Sequence, residues 1–137
     1  FEVNALSAHR TPDAVEAFAK GAQERGIKVI IAAAGMAAAL PGVIAASTNL
    51  PVIGVPIKGM LDGLDAMLSI IQMPPGIPTA TVGVNAAQNA AILAAQIIGL
   101  SDSAVAAKVA AHKAGLGAKI EKANKDLAEV KYNFKTN

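Results

Sequence analysis

The chain contains no cysteine, no tryptophan and only four aromatic rings in 137 residues. Lack of cysteine removes disulfides, thiolate nucleophiles and cysteine metal sites, and is compatible with a reducing compartment. Charge is scarce as well: 16% of residues are charged, and twelve basic against ten acidic side chains leave a formal net charge of +2. A disordered segment needs low hydropathy and high charge to stay solvated, so a mean hydropathy of +0.45 excludes that class. An RNA or DNA surface wants a basic stripe interleaved with aromatics, whereas here the lysines gather after residue 107 with only Tyr132 and Phe134 beside them. No nucleic-acid partner is expected. Unbroken apolar helices are missing too. The run from Val29 to Ile57 is interrupted by Pro41, Asn49, Pro51 and Pro56, and the run from Ala66 to Ser101 by Pro74, Pro75, Gly76 and Pro78. Neither holds the roughly 20 continuous helical residues that cross a bilayer, so no membrane partner is expected. No basic segment followed by an apolar one resembles a signal peptide, and Phe1 reads as a start in mid-structure.

What the chain does have is small apolar side chains. Hydrophobic residues make up 53%, with 31 alanines and 12 glycines that let backbones approach closely. The length suits one domain over residues 1–137. Such a domain buries roughly two-thirds of its unfolded surface, and the few charged residues are too few to cover the rest. Part of the surface is therefore expected to meet another subunit.

Patterning predicts alternating strands and helices. Glu2 to Leu6 reads as the end of a strand, and Thr11-Pro12-Asp13 as a helix start with a capping hydroxyl, proline at the first position and an early carboxylate. The inner face of that helix is Val15, Phe18, Ala19 and Ala22, and Gly26 stops it. Lys28 to Ala32 follows as a strand buried on both sides, which indicates a parallel sheet. A short helix from Leu40 to Ala46, a strand from Pro51 to Val55, a helix from Gly63 to Ile71 and a strand from Thr79 to Val82 come next. Asn85 is placed to cap an alanine-rich helix from about Ala86 to Ile98. The order is that of a doubly wound sheet, which binds ligands at the carboxyl ends of its strands. Those ends are Ser7 to Arg10, Ala33 to Ala38, Pro56 to Gly59, and Gly83 to Asn85. From Ser101 a long helix carries Val105, Val109, His112, Leu116 and Ile120 along one stripe, and Gly115 and Gly117 weaken it by roughly 1 kcal/mol each relative to alanine.

Polar chemistry concentrates at Ser7-Ala8-His9-Arg10-Thr11-Pro12. His9 can exchange a proton near neutral pH, Arg10 offers a fork for phosphate, and helix amides assist with an anion. On spacing alone His9 more readily caps a helix or fills a loop than catalyses. The turn Ala34-Gly35-Met36-Ala37-Ala38 exposes amides able to cradle phosphate, or is simply a tight turn needing glycine. Gln72 to Pro78 is a rigid loop that lines a pocket or merely connects. His112 reads as a core or interface histidine, Asp62 and Asp65 as capping groups near Gly63, and the lysines at 119, 122, 125 and 131 as a solvated face.

Taken together, six ordered segments resemble the PurE family, the N5-carboxyaminoimidazole ribonucleotide mutases of purine biosynthesis. They are Ser7 to Pro12, Ala34 to Gly42, Pro51 to Pro56, Leu61 to Asp65, Leu68 to Pro74 and Asn89 to Ala95. The run from Gln72 to Gly76 resembles the mutase branch more than the related carboxylases. The resemblance implies a three-layer α/β domain with a doubly wound parallel sheet in flavodoxin-like order and a long C-terminal helix. It further implies a cytoplasmic homo-octamer with sites between subunits, an isomerase needing neither metal nor organic cofactor, and a small ribonucleotide as substrate. His9 would be the proton carrier and Arg10 part of the phosphate site. Ser7, Ala8, Gly35, Ala37, Ala38 and Leu40 would shape a dry pocket closed over His9 by Gln72, Met73 and Pro74 of a neighbour. Family members carry a first strand, a glycine loop with serine and aspartate, and a helix ahead of the position of Phe1, so the chain is expected to lack these. Ala39 stands where many members have histidine, leaving His9 as the pocket histidine. Two other functions remain open: a related carboxylase using free CO2, and a noncatalytic phosphate-ligand or assembly domain.

Overall fold

The computed structural model describes residues 1–131 and 133; Tyr132 and Phe134 lie outside them. Helix α1 (Pro12–Gly21) opens on Pro12, whose fixed φ suits a first helical turn. Val15 and Ala19, with Ala22 just past the helix end, are fully buried. The helix ends five residues before Gly26, and Gly26 instead turns the chain at φ 82° into strand β1 (Ile30–Gly35). Helix α2 (Leu40–Ser47), strand β2 (Val52–Ile57), helix α3 (Leu64–Ile71), strand β3 (Ala80–Thr81) and helix α4 (Ala87–Gly99) follow.

The three strands are parallel in the order β1-β2-β3, with Ile30 opposite Val52 and Ile53 opposite Ala80. Successive side chains of a strand point to opposite faces, and the burial follows that rule. Ile30, Ala32 and Val52 pack with Val15, Ala19, Ala22 and Ile44 on the face covered by α1 and α2. Ile53 and Val55 pack with Ala90, Leu93 and Ile97 of α4 on the other. Helices, sheet and helix therefore form three layers, the doubly wound α/β architecture expected from the sequence. Each fully buried branched side chain contributes about 2 kcal/mol to holding the layers together. Gly54 marks the tightest approach: a β-carbon there would overlap the Ile70 side chain of α3 and stand 3.4 Å from Pro41 of α2.

The C-terminal helix is present but broken. Asp102 caps helix α5 (Ser103–Gly115), accepting from the amides of Ala104 and Val105, each at 3.0 Å. Leu116 and Gly117 then interrupt it before helix α6 (Ala118–Ala128). Val105 and Val109 are half-buried where α5 packs on α4, while His112, Leu116, Ile120 and all of α6 are exposed in the single chain. No helix among the described residues is long and apolar enough to cross a membrane.

Two expectations about the strands fail. Strand β1 is not buried on both sides, because Ile31 and Ala33 alternate away from the core face and stay exposed. Glu2 to Leu6 is not a strand, because a strand exists only through a hydrogen-bonded neighbour and among the described residues none pairs with it. Glu2 is instead tied to Arg25 at 3.0 Å, and Leu6 packs on the α1 core. Between this segment and the outer edge of β1 runs an open trench of about 1060 Å³, floored by Ile30 to Ala33 and walled by Ala91, Ala94, Ala95 and Ile98.

Candidate active site

The carboxyl edge of the sheet carries the strained backbone of the molecule. Among the described residues four non-glycine residues have φ in the left-handed region: Met36 at 54°, Leu61 at 46°, Asp62 at 55° and Asn85 at 58°. Met36 follows β1, Leu61 and Asp62 follow β2, and Asn85 follows β3. Each such residue costs about 1–2 kcal/mol, and such costs cluster where a site demands a fixed backbone. That edge is also where parallel sheets bind ligands.

His9 and Arg10 stand at the tip of a turn closed by Ser7 and Thr11. The Ser7 amide donates to the Thr11 hydroxyl at 2.9 Å, that hydroxyl donates to the Ser7 carbonyl at 3.1 Å, and the Thr11 amide donates to the same carbonyl at 2.8 Å. The Arg10 amide donates to the Ser7 hydroxyl at 3.2 Å. Thr11 was expected to cap α1, but its hydroxyl is spent on the turn, so the first-turn amides of α1 have no side-chain cap. They are free to meet an anion, and Arg10 directly precedes Thr11 at the cap position. Ser7 and Ala8 are half-buried beneath the tip, while His9 and Arg10 are exposed in the single chain rather than enclosed.

Gly35 closes β1 opposite Ile57, and a β-carbon on it would stand 3.4 Å from the Ile57 carbonyl oxygen. Beyond it the Ala38 amide reaches the Met36 carbonyl at 2.9 Å and the Ala39 amide that of Ala37 at 2.7 Å, winding the chain tightly into α2. Ala37 is exposed at this turn and Leu40 half-buried. Ala38 is a core residue packed with Ala34, Ala66 and Ile70, so only its backbone is placed to face a ligand. Gln72 and Pro74 are exposed, and Met73 is half-buried. The Met73 sulfur lies 3.1 Å from where a β-carbon on Gly42 would stand, so this loop rests against α2 of its own chain.

The structure thus places Ser7 to Arg10 and Gly35 to Leu40 toward the carboxyl edge without enclosing them, while Gln72, Met73 and Pro74 lie in the connection from α3 into the amino end of β3, whose later part shares a cleft with Ser47 to Pro51. Of the predicted set only Leu40 lines the trench, and neither that trench nor a smaller cleft around Ser47 to Pro51 takes in His9 or Arg10. Among the described residues no three His, Asp or Glu side chains are grouped to hold a metal ion. Asp62 pairs with Lys58 at 3.0 Å rather than capping α3, and Gly63 occupies the cap position with φ 90°. Asn85 does not cap α4 either; its side-chain oxygen accepts from the Lys58 amide at 2.9 Å. Sequence reading missed that role, although asparagine is a residue type that tolerates a left-handed turn.

The AIR carboxylase family model matches residues 1–119. A protein named N5-carboxyaminoimidazole ribonucleotide mutase from Thermotoga maritima is 50% identical over 133 residues, covering 96% of this chain and 78% of that protein. One of the same name from Pyrococcus abyssi is 60% identical over 101 residues, 73% of this chain and 58% of that one. The phosphoribosylaminoimidazole carboxylase of Saccharomyces cerevisiae is 56% identical over 110 residues, 80% of this chain but 19% of that protein. The crystal structure of Treponema denticola PurE superposes with a TM-score of 0.76 at 30% identity, over 88% of this chain and 76% of that one.

Proposed function

Because this chain belongs to the AIR carboxylase family, we propose that it is an N5-carboxyaminoimidazole ribonucleotide mutase of purine biosynthesis. The isomerisation moves a carboxylate from the exocyclic nitrogen of the substrate to ring carbon C4. The observation that carries the reading is the Ser7–Thr11 turn, which holds a proton-transfer group and a guanidinium side by side at the carboxyl edge of the sheet. It stands in a chain half identical to a protein of that name.

In this reading the substrate's nitrogen–carboxylate bond breaks to release CO2, the electron pair stays on nitrogen, and nitrogen takes a proton from His9. The electron-rich C4 then attacks the retained CO2, and His9 removes the C4 proton, so the proton count balances over the cycle. Arg10 and the uncapped amides of α1 hold the phosphate. The backbone of Gly35 to Leu40 shapes the floor, with Ser7 and Ala8 beneath His9. Gln72, Met73 and Pro74 of a neighbouring subunit close the pocket; holding CO2 against C4 in a dry space replaces diffusion by a high effective concentration. Exposure of His9 in the single chain fits a pocket completed by another subunit, and the reading takes the assembly to be a cytoplasmic homo-octamer.

The trench beside β1 belongs to the same proposal. Residues alternate in the edge they address, and Ile30 donates to Pro51 on the β2 side, so the peptide groups of Ile31 and Ala33 face the trench. A parallel strand seated there, from chain preceding Phe1, would pair with both β1 and Glu2 to Leu6 and bring its own loop to the phosphate end of the site.

The test is turnover of N5-carboxyaminoimidazole ribonucleotide by the natural full-length protein in the presence of labelled bicarbonate. Conversion with little label in product supports the mutase. The yeast relative's name favours one other reading, a carboxylase; turnover of aminoimidazole ribonucleotide with bicarbonate, at the expense of the carboxylated substrate, would establish that instead.

A further inference from the structure

Strand β2 has an unusual problem at its carboxyl end. Its even-numbered residues address β3, and the Gly54 carbonyl accepts from the Val82 amide at 3.2 Å. The next residue on that edge is the buried Pro56, which has no N–H to offer, and the one after it is Lys58. Strand β3 is two residues long and has turned away by then. Asn85 takes over the missing strand's work. Its amide donates to the Pro56 carbonyl at 2.8 Å, and its side-chain oxygen accepts the Lys58 amide at 2.9 Å. The left-handed φ of 58° is what lets one residue present both groups to the same edge.

Five residues on, the same exit segment holds the other end of the loop. A β-carbon on the buried Gly63 would lie 2.7 Å from a methyl group of Val84, so Val84 packs directly on the Gly63 backbone. Between the two grips the loop from Lys58 to Gly63 contains Leu61 and Asp62, both left-handed, and the exposed Met60 and Leu61. The Lys58–Asp62 ion pair spans it. This loop leaves β2 next to Ile57, the partner of Gly35, and therefore flanks the Met36–Ala39 turn.

We infer that Asn85 is a positioning residue for the reaction: through the Lys58 amide it fixes the Lys58–Gly63 loop as one wall of the site at the carboxyl edge. The inference rests on the mutase reading. Asn85 touches no reacting atom and acts through Lys58. Being itself exposed, it contributes little to the core, so its removal leaves the fold intact.

Asn85→Gly keeps the left-handed backbone and deletes only the acceptor, whereas Asn85→Asp keeps an acceptor at the same atom. In the natural full-length protein, Asn85→Gly is expected to lower kcat about tenfold with KM within about twofold of wild type, as expected for a displaced wall rather than lost binding. Amide hydrogen exchange at Lys58 is expected to speed up in Asn85→Gly and to stay slow in Asn85→Asp, which also retains most of kcat. Wild-type kcat in Asn85→Gly overturns the inference, and so does a fall of equal size in both variants or a fall with Lys58 still protected. An inactive wild type overturns the mutase reading beneath it, and is told apart because every variant is then silent while the exchange pattern persists.

Discussion

Thr11 grips Ser7 twice, its hydroxyl accepting from the Ser7 amide at 2.9 Å and donating to the Ser7 carbonyl at 3.1 Å. Between them stand His9, the catalytic candidate, and Arg10, whose amide adds a further tie to the Ser7 hydroxyl at 3.2 Å. Thr11→Val keeps the branched shape and removes both bonds; kcat/KM is expected to fall at least about tenfold, since small displacements of a catalytic group are costly. Thr11→Ser restores most of it. Steady-state kinetics on both variants checks this, and an active Thr11→Val would show that the turn needs no such closure.

His9→Asn removes the proton carrier. Turnover should drop by roughly 10²–10⁴, the range ascribed to a positioned acid–base group, while ribonucleotide binding persists. Because His9 is exposed, thermal stability should change by no more than about 0.5 kcal/mol. Retained turnover would remove His9 from the mechanism.

Much of the fold could be read from spacing, because periodicity reports burial directly. Val15, Ala19 and Ala22 are buried as their helical spacing demands, and α3 ends at Ile71 as expected. The residues that were misread are those whose hydroxyl or amide has two possible employers. Thr11 before Pro12 and Asn85 before an alanine-rich run both look like caps, yet each serves a backbone partner elsewhere: Ser7 for one, Lys58 for the other. Nothing local to Asn85 reveals that Pro56, 29 positions earlier, leaves an edge needing a substitute donor and acceptor. Glu2 to Leu6 failed for a related reason, since a strand is defined by a neighbour and the alternation of its own side chains does not supply one. At the carboxyl edge the backbone strain at Met36 and Leu61 was not legible, because neither is a residue type that favours φ above zero, and Asp62, which tolerates it, was read as a capping group.

Gly63→Ala should be among the more damaging small substitutions. It forces a left-handed alanine, costing about 1–2 kcal/mol, and drives a methyl into Val84 as well. Val84→Ala in the same chain should recover part of the loss, and only part, because the backbone term remains. Denaturant unfolding of the two single variants and the double variant measures the coupling.

The C-terminal break should mend. Neither Gly115 nor Gly117 has a positive φ, and a β-carbon on Gly115 would meet nothing within 4 Å. Replacing both with alanine should stabilise the segment by about 1 kcal/mol per site and join α5 to α6. Greater helicity by circular dichroism is the expected readout; an unchanged spectrum would mean that Leu116 sets the break.

Glu16 offers a pH-dependent signature remote from the site. Its hydrogen bond and attraction to Lys20, one helical turn on, hold its carboxyl below the usual glutamate range. A carboxylate favoured by folding adds stability above its unfolded titration and loses it as pH falls through the folded one. Glu16→Gln should therefore flatten the acid limb of the stability curve slightly and leave neutral-pH activity unchanged. Thermal melts between pH 3 and pH 7 test this, with the effect kept small by solvent screening of an exposed pair.

A flank of β1 with no strand against it is adhesive. Donors and acceptors at Ile31 and Ala33 repeat at the spacing of any extended backbone, and the apolar lining beside them does not discriminate between sequences. A strand that settles on this flank therefore also shields it from any stranger's backbone.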